Sequence, residues 1–156
     1  MREQDSRFPQ DTTVQTNLLP ALRAQLALNR KEPAKALELL QPNVPYELAW
    51  LGPQTVGFAL SLYPLYVRGR AYRALGLPAD AAGEFRRIVD HLGVVSNEPT
   101  LAAAARLELA RALHASGDAA SSKRVYEEFL SIWKDADPDI PLFIAAKEEY
   151  AALARF

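Results

Sequence analysis

The sequence predicts an all-α fold in which about seven helices, joined as helix-turn-helix pairs, stack into an α-solenoid. Three observations carry this prediction. The segment VRGRAYRALGLPADAAGEFRRIV returns in degenerate form 41 residues further on, as LARALHASGDAASSKRVYEEFLSIW, and self-similarity at such a period is the signature of stacked repeats. Apolar residues recur at every fourth position in Leu101, Ala105, Leu109 and Leu113, and again in Val125, Phe129 and Trp133, which marks apolar stripes on helices. No segment alternates apolar and polar residues long enough to make a strand.

Taken in chain order, SRFPQDT reads as the tail of a second helix and its turn, so residues 1–10 look like the edge of a longer array extending upstream. A helix is predicted over 12–30, or from Asn17 onward with Pro20 in its first turns, followed by one over 33–41. This first pair, 12–41, is the faintest copy: Ala24, Ala27, Ala36 and Leu40 fit the pattern, but Lys31 stands at the turn where the other copies have glycine. After the connector QPNVPYELAWLGP, helices over 55–75 and 78–92 form the second pair, 55–92. Here each position has a steric reason. Gly69 lets the two helices approach, Tyr72 fills the space between them, Gly76 ends the first helix, Ala81 is small at the crossing, and Phe85 closes the inner face.

In the third pair, 99–134, with helices over 99–116 and 118–134, Gly117 answers to Gly76, Leu113 to Tyr72 and Tyr126 to Phe85. Ala110 stands for Gly69 and Ser122 for Ala81, so small size is kept while identity is not. The connector before it, GVVSNEP, and the earlier one are both longer than a 34-residue repeat allows. A last helix over 139–155 mixes Lys147, Glu148, Glu149 and Arg155 with Ile144, Tyr150 and Leu153 and reads as a capping helix, which needs one polar face toward water and one apolar face toward the last repeat. The whole chain, 1–156, reads as one domain.

Composition narrows the function classes. Apolar residues at 49% and charged residues at 24% are ordinary for a folded globular chain. With 18 Lys and Arg against 19 Asp and Glu, net charge is −1, which leaves no basic excess for phosphates and argues against a nucleic-acid partner. The absence of cysteine removes disulfides, thiolate catalysis and thiolate metal sites, and leaves the redox compartment open. From Leu48 to Val67 the chain runs 20 residues without a charge. Pro53, Pro64, Gly52 and Gly57 interrupt that run, so a loop leading into a buried helix is expected and membrane insertion is not.

No catalytic, cofactor or metal site is expected. His91 and His114 fall on different repeats, neither with a second ligand at metal spacing. Asp135, Asp137 and Asp139 open like a calcium loop, but Ile140 and Ala146 stand where glycine and glutamate are needed, so the stretch reads as an acidic loop with Asp139 capping the last helix. Glycine-rich phosphate loops, serine nucleophile elbows and HExxH motifs are lacking.

The spacing Gly69-x2-Tyr72, with Ala81 and Phe85 after the turn, is similar to that of the tetratricopeptide (TPR) repeat. The strings RFPQDT, LPALRAQLALNRKEPAKALELLQPNVPYEL, LYPLYVRGRAYRALG, FRRIVDHLGVVSNEP and FLSIWKDADPDIP resemble the C-terminal TPR region of acidobacterial serine/threonine protein kinases and winged-helix regulators, across nearly the whole chain. The resemblance implies a non-catalytic protein-interaction module of a larger bacterial signalling protein, on either side of a membrane. A partner protein or peptide would lie on the concave face made by the first helices.

Counted on the repeat template, the inward positions are Leu18, Gln25 and Asn29, then Tyr63, Tyr66, Arg70 and Arg73, then Leu107, Arg111 and His114. Tyrosines beside arginines suit an acidic and apolar peptide, though solvated arginines and core tyrosines are the plainer reading of the same residues. The Lys and Asn set of chaperone-binding TPRs is not evident. Two other roles stay open: self-association as a homodimer through Trp50, Leu51 and Phe58, and sensing of a small ligand between repeats.

Overall fold

Proline punctuates the helices. Among the described residues, six of the seven α-helices carry one at their first or second position, where the missing N–H is one the helix leaves unbonded anyway: Pro20, Pro33, Pro64, Pro78, Pro99 and Pro141. The computed structural model describes residues 14–47, 62–91 and 99–153, with nothing of the Tyr46 side chain. Among the described residues all regular structure is helical. The helices are α1 (Leu19–Asn29), α2 (Pro33–Leu40), α3 (Tyr63–Ala74), α4 (Pro78–Asp90), α5 (Pro99–Ala115), α6 (Ala119–Ile132) and α7 (Pro141–Leu153).

The ends differ from the expected ones for local reasons. The helix expected over 12–30 is a π-helical turn, Val14–Leu18, running into α1. A 3₁₀ turn, Gln41–Tyr46, carrying Pro42 and Pro45, continues α2. Helix α6, which lacks an early proline, starts on Asp118, whose carboxylate accepts the Ser121 N–H at 3.0 Å. Asp139 does not cap α7: the position before Pro141 is Ile140, whose carbonyl accepts the Ile144 N–H at 3.0 Å. Residues 1–10, the Trp50, Leu51 and Phe58 connector and the first residues of the helix expected over 55–75 lie outside the described residues.

Three turns share one geometry. Lys31, Gly76 and Gly117 have φ of 62°, 73° and 90°. In each turn the following N–H reaches back to a carbonyl of the first helix: Glu32 to Ala27 at 2.9 Å, Leu77 to Tyr72 at 3.0 Å, and Asp118 to Leu113 at 2.9 Å. That left-handed residue and its backward bond close the helix C-terminus. Glycine adopts the conformation freely, whereas Lys31 does so against its own Cβ.

Within each pair the crossing is close. A Cβ built on Gly69 meets two ring carbons of Phe85 at 2.7 Å, and Phe85 itself is fully buried. Ala36, Ala81 and Ser122 occupy corresponding places on the second helices, all completely buried. Ser122 keeps its hydroxyl satisfied by donating to the Ala110 carbonyl at 2.8 Å. Tyr72 packs half-buried against the larger apolar cluster, Leu101, Ala105, Leu109 and Leu113 are buried in it, and Phe129 stacks on Trp133 at 5.3 Å.

The most extensive contacts run between helices adjacent in sequence, and α1 meets α3 while α3 meets α5. A second apolar cluster joins the first pair to α3 through Val67 and Ala71. No helix among the described residues is long and apolar enough to cross a membrane.

Candidate functional site

The first helices of the pairs, α1, α3 and α5, are in contact in series, so side chains spaced three and four apart on each can meet across pairs. Of the ten residues expected to face inward, seven are tied by contacts in two groups along a strip of these helices, and His114 lines a hollow beside Arg111. Gln25 donates to Asn29 at 2.8 Å along α1, and its carbonyl oxygen accepts from Arg70 at 3.1 Å and from the Tyr63 hydroxyl at 3.4 Å. Tyr63 stacks on Tyr66 at 6.3 Å, and the Arg70 guanidinium lies 6.0 Å over the Tyr66 ring. Tyr66 in turn sets its edge against Phe85 at 5.8 Å, so the aromatic floor of the strip is anchored in the core. Burial pushes the Tyr66 hydroxyl pKa up.

From α3 the strip passes to α5 through a shared carboxylate. Glu108 pairs with Arg73 and, at 2.8 Å, with Arg111. Arg111 then binds Glu149 of α7 through two nitrogens, Nε at 2.9 Å and Nη2 at 2.6 Å, and Tyr126 of α6 donates to the same carboxylate at 2.7 Å. Burial alone would raise the Glu149 carboxyl; the Arg111 and Tyr126 hydrogen bonds outweigh it and hold the group below the usual range. Burial and the Glu149 contact push the Tyr126 hydroxyl up, while burial and the neighbouring Arg111 pull Arg73 down.

Two hollows open on the strip. Arg111, His114, Tyr126, Glu149, Ala152 and Leu153 line one of about 390 Å³, and Arg70, Arg73, Ala74 and Glu108 line another of about 300 Å³. Of the two further positions expected to face inward, Leu107 is instead fully buried in the core, and Leu18 sits half-buried in the π-helical turn.

Sequence reasoning missed Glu108, Glu149 and Tyr126, the groups that turn a row of arginines into a paired ladder. Glu108 had a signal, since it precedes Arg111 by three residues on one helix. It also missed a buried ion network elsewhere. Arg68 pairs with Glu47 and with Glu84 at 2.7 Å, and Arg87 reaches Glu47 at 2.7 Å. The Arg68 and Glu47 side chains are only 6% and 3% exposed, so this network ties the chain after α2 to α3 and α4. Among the described residues no cluster of three or more His, Asp or Glu side chains is placed to hold a metal ion.

No protein-family model, curated protein or solved structure matches the chain. The strip sets guanidinium donors, carboxylate acceptors and stacked aromatic rings along three consecutive first helices.

Proposed function

We propose that the chain is a non-catalytic interaction module of TPR-like helix pairs, stacked as an α-solenoid, which holds a partner peptide or protein on the strip from Gln25 to Glu149. One observation carries the reading: residues on neighbouring first helices, placed by the repeat, bond across from α1 to α3 through Gln25 and Arg70, and from α3 to α5 through Arg73, Glu108 and Arg111. The three left-handed turns and the small residues at the helix crossings support the repeat architecture. As a module of a larger bacterial signalling protein, it would tether or recruit and leave chemistry to another domain.

The ladder also refines the partner. Glu108 and Glu149 already answer Arg73 and Arg111, whereas among the described residues Arg70 engages the Gln25 amide and the Tyr66 ring and no carboxylate. A partner carboxylate therefore finds its opening at Arg70, beside apolar contact on Tyr63 and Tyr66. Peptides selected from a displayed library against the chain, measured by fluorescence anisotropy, test this. Arg70→Glu is expected to abolish binding with helical content unchanged, and undiminished binding would overturn the placement. Self-association is the second reading, favoured by Leu22 and Leu26, 37% and 42% exposed on α1. Light scattering that gives a monomer at all concentrations would dismiss it.

A further inference from the structure

Among the described residues α7 packs chiefly on α6, through a less extensive contact than other α-helices make with their neighbours in sequence. Phe143, Ala146, Glu149, Tyr150 and Leu153 recur at helical spacing. Phe143 and Ala146 are the only fully inserted side chains of the helix, with Leu142, Tyr150 and Leu153 partly covered and Ile144 40% exposed. The polar contacts are few and directional. Glu149 takes Arg111 by two bonds and Tyr126 by one, and the Tyr150 hydroxyl donates to Glu127 at 2.7 Å while its ring lies 6.3 Å from that of Tyr126. So short an apolar contact places α7 among the elements that open most easily.

We infer that α7 is an internal occupant of a docking site on α5 and α6, and that the partner it stands in for is an amphipathic helix carrying a carboxylate for Arg111 beside an aromatic or leucine side chain. Chemistry that holds α7 defines what this surface accepts: a carboxylate for Arg111 and Tyr126, an aromatic ring against Tyr126, and apolar side chains where Phe143 and Leu153 now lie. Binding of such a helix requires release of Glu149, so occupancy and the position of α7 are coupled. This rests on the interaction-module reading and adds to it both the class of partner and a built-in competitor.

The test uses the intact chain and a fluorescein-labelled peptide with the sequence of residues 141–153 as probe. Glu149→Gln in the chain weakens the internal competitor, and the peptide, which keeps its glutamate, is expected to bind that variant at least about fivefold more tightly than the parent, the low end of such couplings. A control peptide with glutamine in place of that glutamate should lose the gain. Hydrogen exchange of α7 amides in the parent chain should speed up when peptide is added, a readout that stands even if Glu149→Gln fails to fold. Equal affinity of the parent and a folded Glu149→Gln, equal binding of both peptides, or unchanged α7 exchange at saturating peptide would each overturn the inference. So would a concentration-dependent dimer of the parent chain that exchanges α7 between copies. Arg70→Glu separates the two readings, because among the described residues Arg70 bonds to α1 and stacks on Tyr66 with no hydrogen bond or ion pair to α7: loss of library-peptide binding on that variant upholds the strip even where the α7 probe fails.

Discussion

Replacing Gly69 by alanine sets two effects against each other, and the structure says which wins. A helix interior gains about 1 kcal/mol when glycine becomes alanine. The new methyl, however, lies 2.7 Å from two ring carbons of Phe85, well inside the 3.4 Å at which ordinary contact begins. Phe85 has no room to retreat, being fully buried with the Tyr66 ring against it at 5.8 Å. Overpacking of this kind costs about 1 to 3 kcal/mol, and an overlap with a rigid, enclosed ring belongs near the upper end.

Gly69→Ala is therefore expected to destabilise the chain by about 1 to 2 kcal/mol net. With urea slopes of about 1 to 3 kcal/mol per molar, the midpoint followed by circular dichroism should fall by roughly 1 M. The first pair supplies a rescue, since it places Ala24 and Leu40 where the second has Gly69 and Phe85, both of them buried. Gly69→Ala combined with Phe85→Leu should recover much of the loss, and the double-mutant cycle should show strong coupling. A Gly69→Ala chain as stable as the parent would refute the close-approach argument.

The buried network predicts a sharp contrast between its two arginines. Arg68→Ala leaves Glu47 and Glu84 without their central cation and should cost about 3 to 5 kcal/mol in urea unfolding, whereas Arg87→Ala, at a side chain 40% exposed, should cost under about 1 kcal/mol. At the first turn, Lys31→Gly relieves a left-handed residue of its Cβ and should raise thermal stability, while Gly117→Ala at φ 90° should lower it by about 1 kcal/mol. The Glu149 carboxyl is held below its ordinary 4.5, so its contribution is complete above that value and is lost as pH falls through the depressed one. Acid titration of stability should therefore lose part of its slope below about pH 4.5 in Glu149→Gln, and an unchanged profile would remove Glu149 from the acid transition.

The sequence carries those parts of the fold that backbone chemistry imposes. Gly76 and Gly117 mark turns because the left-handed conformation favours glycine, and prolines mark helix starts because a missing N–H costs nothing there. Lys31 escaped that logic: its turn is held by the same backward hydrogen bond, so the bond and not the residue type sets the geometry. On the strip, periodicity was enough to bring Gln25, Tyr63, Arg70 and Arg111 to one side, since a helix fixes which residues share a face. It was silent about Glu149, which lies 38 residues from Arg111 and meets it only through the packing of α7. Arg68 was hidden for the opposite reason. It sits on the buried side of α3 as a charge, tolerable there because two carboxylates from distant parts of the chain surround it.

The shared turn geometry has a consequence for how this architecture can change length. Lys31 and Gly76 are 45 residues apart while Gly76 and Gly117 are 41 apart, yet the three corners are built alike. The uneven spacing is shared between helices and connectors: α2 and α3 are 8 and 12 residues long against 13 and 17 for α4 and α5, while residues 41–62 separate the first two and only 91–98 the second two. Helix length can therefore vary on either side of a corner while the left-handed residue and its backward hydrogen bond stay the same.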